Sequence, residues 1–403
     1  MAHATENEKP TAAELMLPDR HLVSRLPLLA GGFGIVFLVV TVVLAAGLTR
    51  QFYFAWLVAC LFVLTVSLGS MIFVLIQFAT RAGWSVAVRR IAEHTMGAMP
   101  VAILLFLPLL AGVHELFEWS HSEAADHLLE HKQPYLNTTF LYIRTGVIAL
   151  CWCGIALWFR RKSMSQDAGR GDTATTRRLQ AVSAPAIAVF AVTLTFFMFD
   201  WIMSLEAHWF STVFGVYLFG GSLMAGLAWL VLWMNSASRG QSRLGEVLSP
   251  EHYHDVGKLL FGFVVFWAYI GFSQFMLIWY GNIPEETIWY AHRLEHGWKA
   301  VSVLLMVGHF AIPFLLLLSR DIKRRPRLLG AVSCWVLAMH YVDMYWLVMP
   351  SFNAHFSPSL VDLTALLATV GIFTAAVAYL MKGSSLVPTG DPRLNESLSF
   401  ENT

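Results

Sequence analysis

Residues Pro27–Leu48 read PLLAGGFGIVFLVVTVVLAAGL, 22 positions without one charged side chain. An α-helix rises 1.5 Å per residue, so about 20 apolar residues cross the hydrocarbon core of a bilayer. The run is long enough to span a membrane. Working outward from it, runs of the same kind recur at 52–78, 96–117, 138–159, 183–204, 210–234, 257–281, 298–319, 327–349 and 359–381. Composition agrees: 57% of the residues are hydrophobic and 13% charged, against about 25% charged in soluble domains. The reading is an all-α integral membrane protein with ten transmembrane helices. Its membrane domain covers 27–382, between a polar N-terminal segment, 1–26, and a polar tail, 383–403. The first 26 residues lack the basic start and short apolar core of a signal peptide. A net charge of +1 gives no bulk attraction to nucleic acid, and none is expected as a partner. Cys60, Cys151, Cys153 and Cys334 all lie in apolar runs and form no CxxC. They read as small buried hydrophobes, and no metal is expected.

The loops orient the chain. Connections on the side of the N-terminus carry 21 of the 27 Lys and Arg residues, while the opposite loops carry Arg50, Lys132 and Arg293. Positive charge collects on the cytoplasmic side of membrane proteins, so both termini are expected in the cytoplasm. Segment 160–182 and the tail from Gly383 read as polar cytoplasmic linkers. The outer loops are acidic, histidine-rich and aromatic; residues 113–135 read VHELFEWSHSEAADHLLEHKQPY. Trp119, Trp201, Trp209, Trp279, Trp289, Trp298 and Trp346 fall near the outer helix ends. An interfacial aromatic belt accounts for most of them. Their one-sidedness also fits a large partner covering this face.

Ionisable side chains inside a span are costly and mark function by default. Here they gather in the outer half of the spans. Runs three to five bring His114, Glu118, Arg144 and Asp200 to similar depth. In that group His114 or Glu118 would accept protons, with Arg144 and Asp200 holding the base in place. Arg144 and Asp200 also fit a neutralising pair that only orients helices. Runs seven to nine bring Gln274, His309, His340 and Asp343 together if they pack as a bundle. Along run eight, Glu295, Lys299, Ser302, Met306 and His309 follow 4-3-4-3 spacing, one stripe from the outer mouth to mid-membrane. Pro313 lacks the amide that would bond the His309 carbonyl. A polar stripe ending on imidazole suits a proton half-channel; a wet groove without transport is the alternative. His309 lies about 17 Å from the outer end of its helix, Asp343 about 9 Å from the end of the next, and His340 about 5 Å deeper. Lys299, Ser302, His309, His340, Asp343 and Gln274 therefore read as one proton path, open to the outside and closed by apolar residues toward the cytoplasm. His309 and His340 are also the deep pair that a bis-histidine haem would need, although interior histidines are more simply hydrogen-bonded.

Run five ends FDWIMSLEAHWFS (199–211) and run nine ends VDMYWLVMPSFNAHFS (342–357). Each has an aspartate, then aromatics, then Ala-His-aromatic-Ser. A spacing of four spans fits two four-helix bundles, runs 2–5 (about 52–204) and 6–9 (about 210–349), with runs 1 and 10 peripheral. Phe199–Thr212 resembles the helix 5–6 hairpin of the ActF subunits of alternative complex III. Ser273-Gln274 with Trp279–Glu286, and Asp343–Trp346 followed by Pro350, resemble the helix 7 and helix 9 ends of the same subunits. These are similar in turn to the NrfD/polysulfide-reductase membrane-subunit family.

That resemblance implies two four-helix bundles and quinone chemistry at the outer face. It implies a place in a bacterial inner-membrane complex that oxidises quinol and reduces cytochrome c or another periplasmic acceptor. The implied partners are an iron–sulfur subunit, multihaem c-type cytochrome subunits and a paralogous ten-span subunit. Haem c and iron–sulfur clusters would sit in those partners, with quinone or quinol as the ligand near this chain. Quinol oxidation releases two protons and two electrons, so it needs a base within hydrogen-bond reach of each hydroxyl. No residue here carries electrons. A secondary transporter, with its repeats and midplane charges, and a purely structural anchor remain as other readings.

Overall fold

A computed structural model describes residues 11–121, 127–167, 173–239 and 242–401. The acidic stretch 122–126 of the outer loop, the middle of the 160–182 linker and the Leu128 side chain lie outside what is described. Among the described residues there is no strand, only an isolated bridge between Met16 and Ser385. Ten helices are long and apolar enough to cross a membrane. They are α1 (Leu22–Leu44), α2 (Thr49–Ala79), α3 (Val86–Ala111), α4 (Thr138–Gln166), α5 (Thr173–Glu206), α6 (Phe214–Ala237), α7 (Pro250–Gly281), α8 (Trp298–Leu318), α9 (Pro326–Ser351) and α10 (Leu360–Met381). The chain is a multi-pass membrane protein.

Local chemistry sets the ends. Asn137 caps α4 by accepting from the Phe140 amide at 2.8 Å. Ser249 with His252, and Ser359 with Asp362, form reciprocal caps at the starts of α7 and α10. Asn282 ends α7 in the left-handed conformation, φ 47°.

Three boundaries differ from the hydropathy reading. α3 begins at Val86, ten residues before the expected start, because its charges neutralise one another. Arg89 and Arg90 lie 3.1 and 2.9 Å from Glu93, Arg89 lies 2.6 Å from Asp391, and Arg90 lies 2.7 Å from Asp167. Residues 160–166 and 173–182 are helical continuations of α4 and α5, not a loose linker. The tail also packs. Leu386 and Val387 are buried, the Gly390 amide donates to Asp167 at 3.2 Å, and the Ser397 hydroxyl donates to the Trp84 carbonyl at 2.6 Å.

The helices form two closed rings. In one, α2 packs on α3 and α5, and α4 completes the circle; in the other, α6 packs on α7 and α9, and α8 completes it. α1 pairs with α10 outside the rings, and α10 lies on α2. α2 joins the rings through α6 and α9, and 94% of its most apolar window is buried. A helix apolar on all sides belongs in such a centre. The α2–α6 contact is backbone on backbone: a Cβ on Gly69 would stand 1.8 Å from the Ser222 carbonyl oxygen, and one on Gly226 would stand 2.6 Å from the Gly69 carbonyl carbon. Small residues let membrane helices approach this closely. The Leu386 amide donates to the Leu15 carbonyl at 3.2 Å, so both ends of the membrane domain lie on one face.

Most of the outer tryptophans are interior rather than a belt. Trp119, Trp201, Trp209, Trp289, Trp298 and Trp346 are buried within the chain, whereas Trp279 is exposed. Trp209 stacks on Trp289 at 4.6 Å, and the Arg293 guanidinium lies 3.5 Å from the Trp289 ring centre. The chain itself therefore covers most of the aromatic surface that hinted at a partner. Among the cysteines Cys60 is buried, Cys151 and Cys153 are half-buried, and Cys334 is exposed, contrary to its reading as a core residue.

Candidate functional site

In the first ring, α4 and α5 bring Arg144 and Asp200 together. Arg144 Nε donates to Asp200 Oδ2 and Nη2 to Oδ1, both at 2.8 Å. The Tyr135 hydroxyl donates to Oδ1 at 2.9 Å, and Arg144 Nη1 donates to the Tyr135 carbonyl at 3.0 Å. The guanidinium also sits 3.9 Å over the Tyr135 ring. Burial, and then the Asp200 carboxylate, push the Tyr135 phenol well above its usual range. This fork-to-fork pair engages both Asp200 oxygens and three of the five Arg144 N–H donors.

His114 and Glu118 do not join it. After α3 ends, Val113, Leu116 and Phe117 turn inward to pack, which leaves His114, Glu115 and Glu118 exposed. There they share an open cavity of about 280 Å³ with Arg50 and His121. His114 Nδ1 meets the Ser120 hydroxyl at 3.1 Å. The expected four-residue group is thus a sealed ion pair plus a separate surface patch.

The second ring holds the deeper chemistry. Asp343 on α9 is fully buried; the Tyr217 hydroxyl of α6 donates to its Oδ1 at 2.5 Å and Trp267 Nε1 of α7 donates to Oδ2 at 3.1 Å. His340 lies one turn deeper on α9, also fully buried, with Nε2 2.8 Å from the Thr65 hydroxyl of α2. That hydroxyl donates its one proton to the Phe62 carbonyl at 2.9 Å. His340 Nε2–H is then the donor to Thr65, and Nδ1 is a bare acceptor without a partner. His309 on α8 is fully buried; neither ring nitrogen makes a well-formed hydrogen bond, and the Met339 backbone is in looser reach. Its ring lies 4.3 Å from Trp267 and 6.2 Å from His340. His309, His340 and Asp343 each offer an atom within 4.8 Å of the others. Among the described residues this is the group of three His, Cys, Asp or Glu side chains placed to hold a metal ion. Buried nitrogens without partners in a native interior call for water, an ion or a mobile proton.

Beside the trio is an apolar cavity of about 490 Å³. Tyr217 and Trp267, the two donors to Asp343, form part of its wall, with Gln274, Ser302, Tyr290 and Trp346. Gln274 is 4% exposed and its Oε1 has no partner. Tyr269, Phe272 and Met306 also line the cavity and are exposed on the perimeter of α7 and α8, so it opens sideways toward lipid.

The expected stripe along α8 is broken. Lys299 is exposed, Met306 is 61% exposed, and the Ser302 hydroxyl donates to the Arg293 carbonyl at 2.7 Å while accepting from Trp346 at 2.8 Å. The cause is a π-helical turn at Leu305–Ala311, which holds an extra residue and rotates His309 off the line of the outer half. Toward the basic face Leu329, Val332, Val336 and Leu337 of α9 are buried, and so is Ser333, whose hydroxyl has no partner.

Sequence reasoning missed Thr65, Tyr217 and Trp267. Tyr and Trp pair a large apolar body with one polar atom, and nothing in their spacing marked that atom as bonded to Asp343. It also missed the clasp between the rings at the outer face. Arg293 donates to Glu206 at 2.9 Å and to the Leu347 carbonyl at 3.0 Å. Burial lowers the Arg293 pKa, with Glu206 opposing. Compared with known proteins, the chain matches no family model and no curated sequence.

Proposed function

We propose that this chain is the membrane subunit of a respiratory complex that oxidises quinol and passes electrons to a periplasmic acceptor, as in alternative complex III, and that its second ring takes up the protons. The observation that carries the reading is the buried His309–His340–Asp343 trio next to a cavity open to lipid. A quinol is a flat, apolar ring with two hydroxyl donors, and the cavity offers apolar and aromatic walls and one buried acceptor, Gln274 Oε1. Gln274 accepts a hydroxyl and orients the ring. Asp343, behind Tyr217 and Trp267, is the nearby group able to gain and lose a proton, and His340 Nδ1 is the next acceptor. Each quinol becomes quinone by losing two protons to water on the acidic face, and two electrons to an iron–sulfur or haem centre of a partner subunit. The quinol role thus moves from His114, Glu118, Arg144 and Asp200, where the sequence reading placed it, to the second ring. The lysine and arginine asymmetry supports an inner-membrane location with both termini in the cytoplasm.

The test uses the intact complex in sealed vesicles. Asp343→Asn and His309→Leu should each reduce quinol-driven proton release by an order of magnitude or more, the scale of a general base, while subunit composition is retained. Unchanged release in both variants, or isolation of the chain as a lone monomer that carries a solute, overturns the proposal.

A further inference from the structure

α8 changes register at the site. Within the π turn Leu305–Ala311, the Ile312 amide donates to the Val307 carbonyl, five residues back. In that register the Gly308 carbonyl would accept from residue 313, which is proline and has no N–H. The oxygen is taken instead by Trp335 of α9, whose Nε1–H donates to it at 2.7 Å. In an unbroken α register Ile312 would bond Gly308, and that oxygen would not depend on the indole for a partner. The Trp335–Gly308 bond therefore favours the π turn over the α-helix. Gly308 permits the approach, since a Cβ there would stand 2.7 Å from Met339 Sδ. His309, the next residue, lies inside this turn. A π turn holds one residue more than an α turn, so losing it would rotate the two halves of α8 by about 100° relative to each other.

We propose that Trp335 is a positioning residue for His309: its bond to the Gly308 carbonyl holds α8 in the π register that aims the imidazole at His340 and Asp343. The sequence reading placed the free carbonyl of Pro313 on His309. The register moves it to Gly308, where a side chain from the neighbouring helix can capture it. The functional half of this inference rests on the proton-relay reading above; the structural half does not.

The experiment is Trp335→Phe in the intact complex. Trp335 is 38% exposed on the perimeter of α9, so phenylalanine keeps the fold and removes only the donor. The variant's structure should show 305–311 as α-helix with His309 turned away from His340. Proton release should fall about fivefold, the population shift of one ordinary hydrogen bond. Adding Pro313→Ala supplies the His309 bond that proline withholds from the α register, so it should deepen both effects. A π turn and a His309 ring unchanged in Trp335→Phe overturn the proposal. A ring that swings out of line while His309→Leu leaves proton release untouched supports the positioning role and refutes the relay reading instead.

Discussion

Asp200 and Asp343 sit at matching places near the ends of the last helix of each ring, yet their surroundings separate their roles. Asp200 meets a guanidinium with both oxygens. Asp343 meets only the neutral donors Tyr217 and Trp267. A carboxylate forked to arginine is tied to its counter-charge, whereas one held by neutral donors has none. The paired case gives a direct test. Arg144→Leu leaves a buried carboxylate without its counter-charge and should cost about 3–5 kcal/mol, while Arg144→Leu with Asp200→Leu should recover most of it. Unfolding in mixed detergent measures both, and an equal loss in the single and double variants would contradict the assignment. Both aspartates were legible in the sequence as intramembrane charges. Their partners were not fully so, because Arg144 is visible as a charge whereas Tyr217 and Trp267 resemble packing residues until their polar atoms are seen to meet an acid.

Between residue and molecule, the segment Pro284–His292 and Arg293 act as the clasp of the two rings. His292 accompanies Arg293 on Glu206, and its bond to that carboxylate raises its pKa above the ordinary value. A histidine raised on folding stabilises fully below its unfolded pKa, about 6.5, and loses that contribution as pH rises through its higher folded value. His292 is half-exposed, so the effect is local and small. Amides 284–293 should exchange hydrogen more slowly at pH 6 than expected from the intrinsic rate, and lose part of that protection by pH 8. Protection independent of pH would separate His292 from the clasp. Elements were legible where apolar runs were uninterrupted, as in α1 and α10. The start of α3 was hidden because Arg89, Arg90 and Glu93 look like a loop until Asp167 and Asp391 arrive from distant segments. The π turn in α8 was hidden because the donor to its Gly308 carbonyl comes from another helix.

On the scale of the whole molecule, an even number of spans and the pairing of Leu15 with Leu386 put both ends on the basic face. A protease site inserted after Lys382 should be cleaved only from the cytoplasmic side. Cleavage from the periplasmic side would reverse the orientation drawn from the charge asymmetry. The sequence by itself determined the class, the ten spans and the shared side of the termini. These are sums and spacings along one chain, and helix rise converts them directly into position across the bilayer. Only the tertiary structure decided which side chains at a given depth face one another. It sealed Asp200 with Arg144, left His114 and Glu118 at the surface, and brought His309, His340 and Asp343 together. That choice depends on how each helix is rotated about its axis. The rotation is set by contacts between helices, Gly69 against Gly226 and Trp335 on Gly308, that leave no period in the sequence.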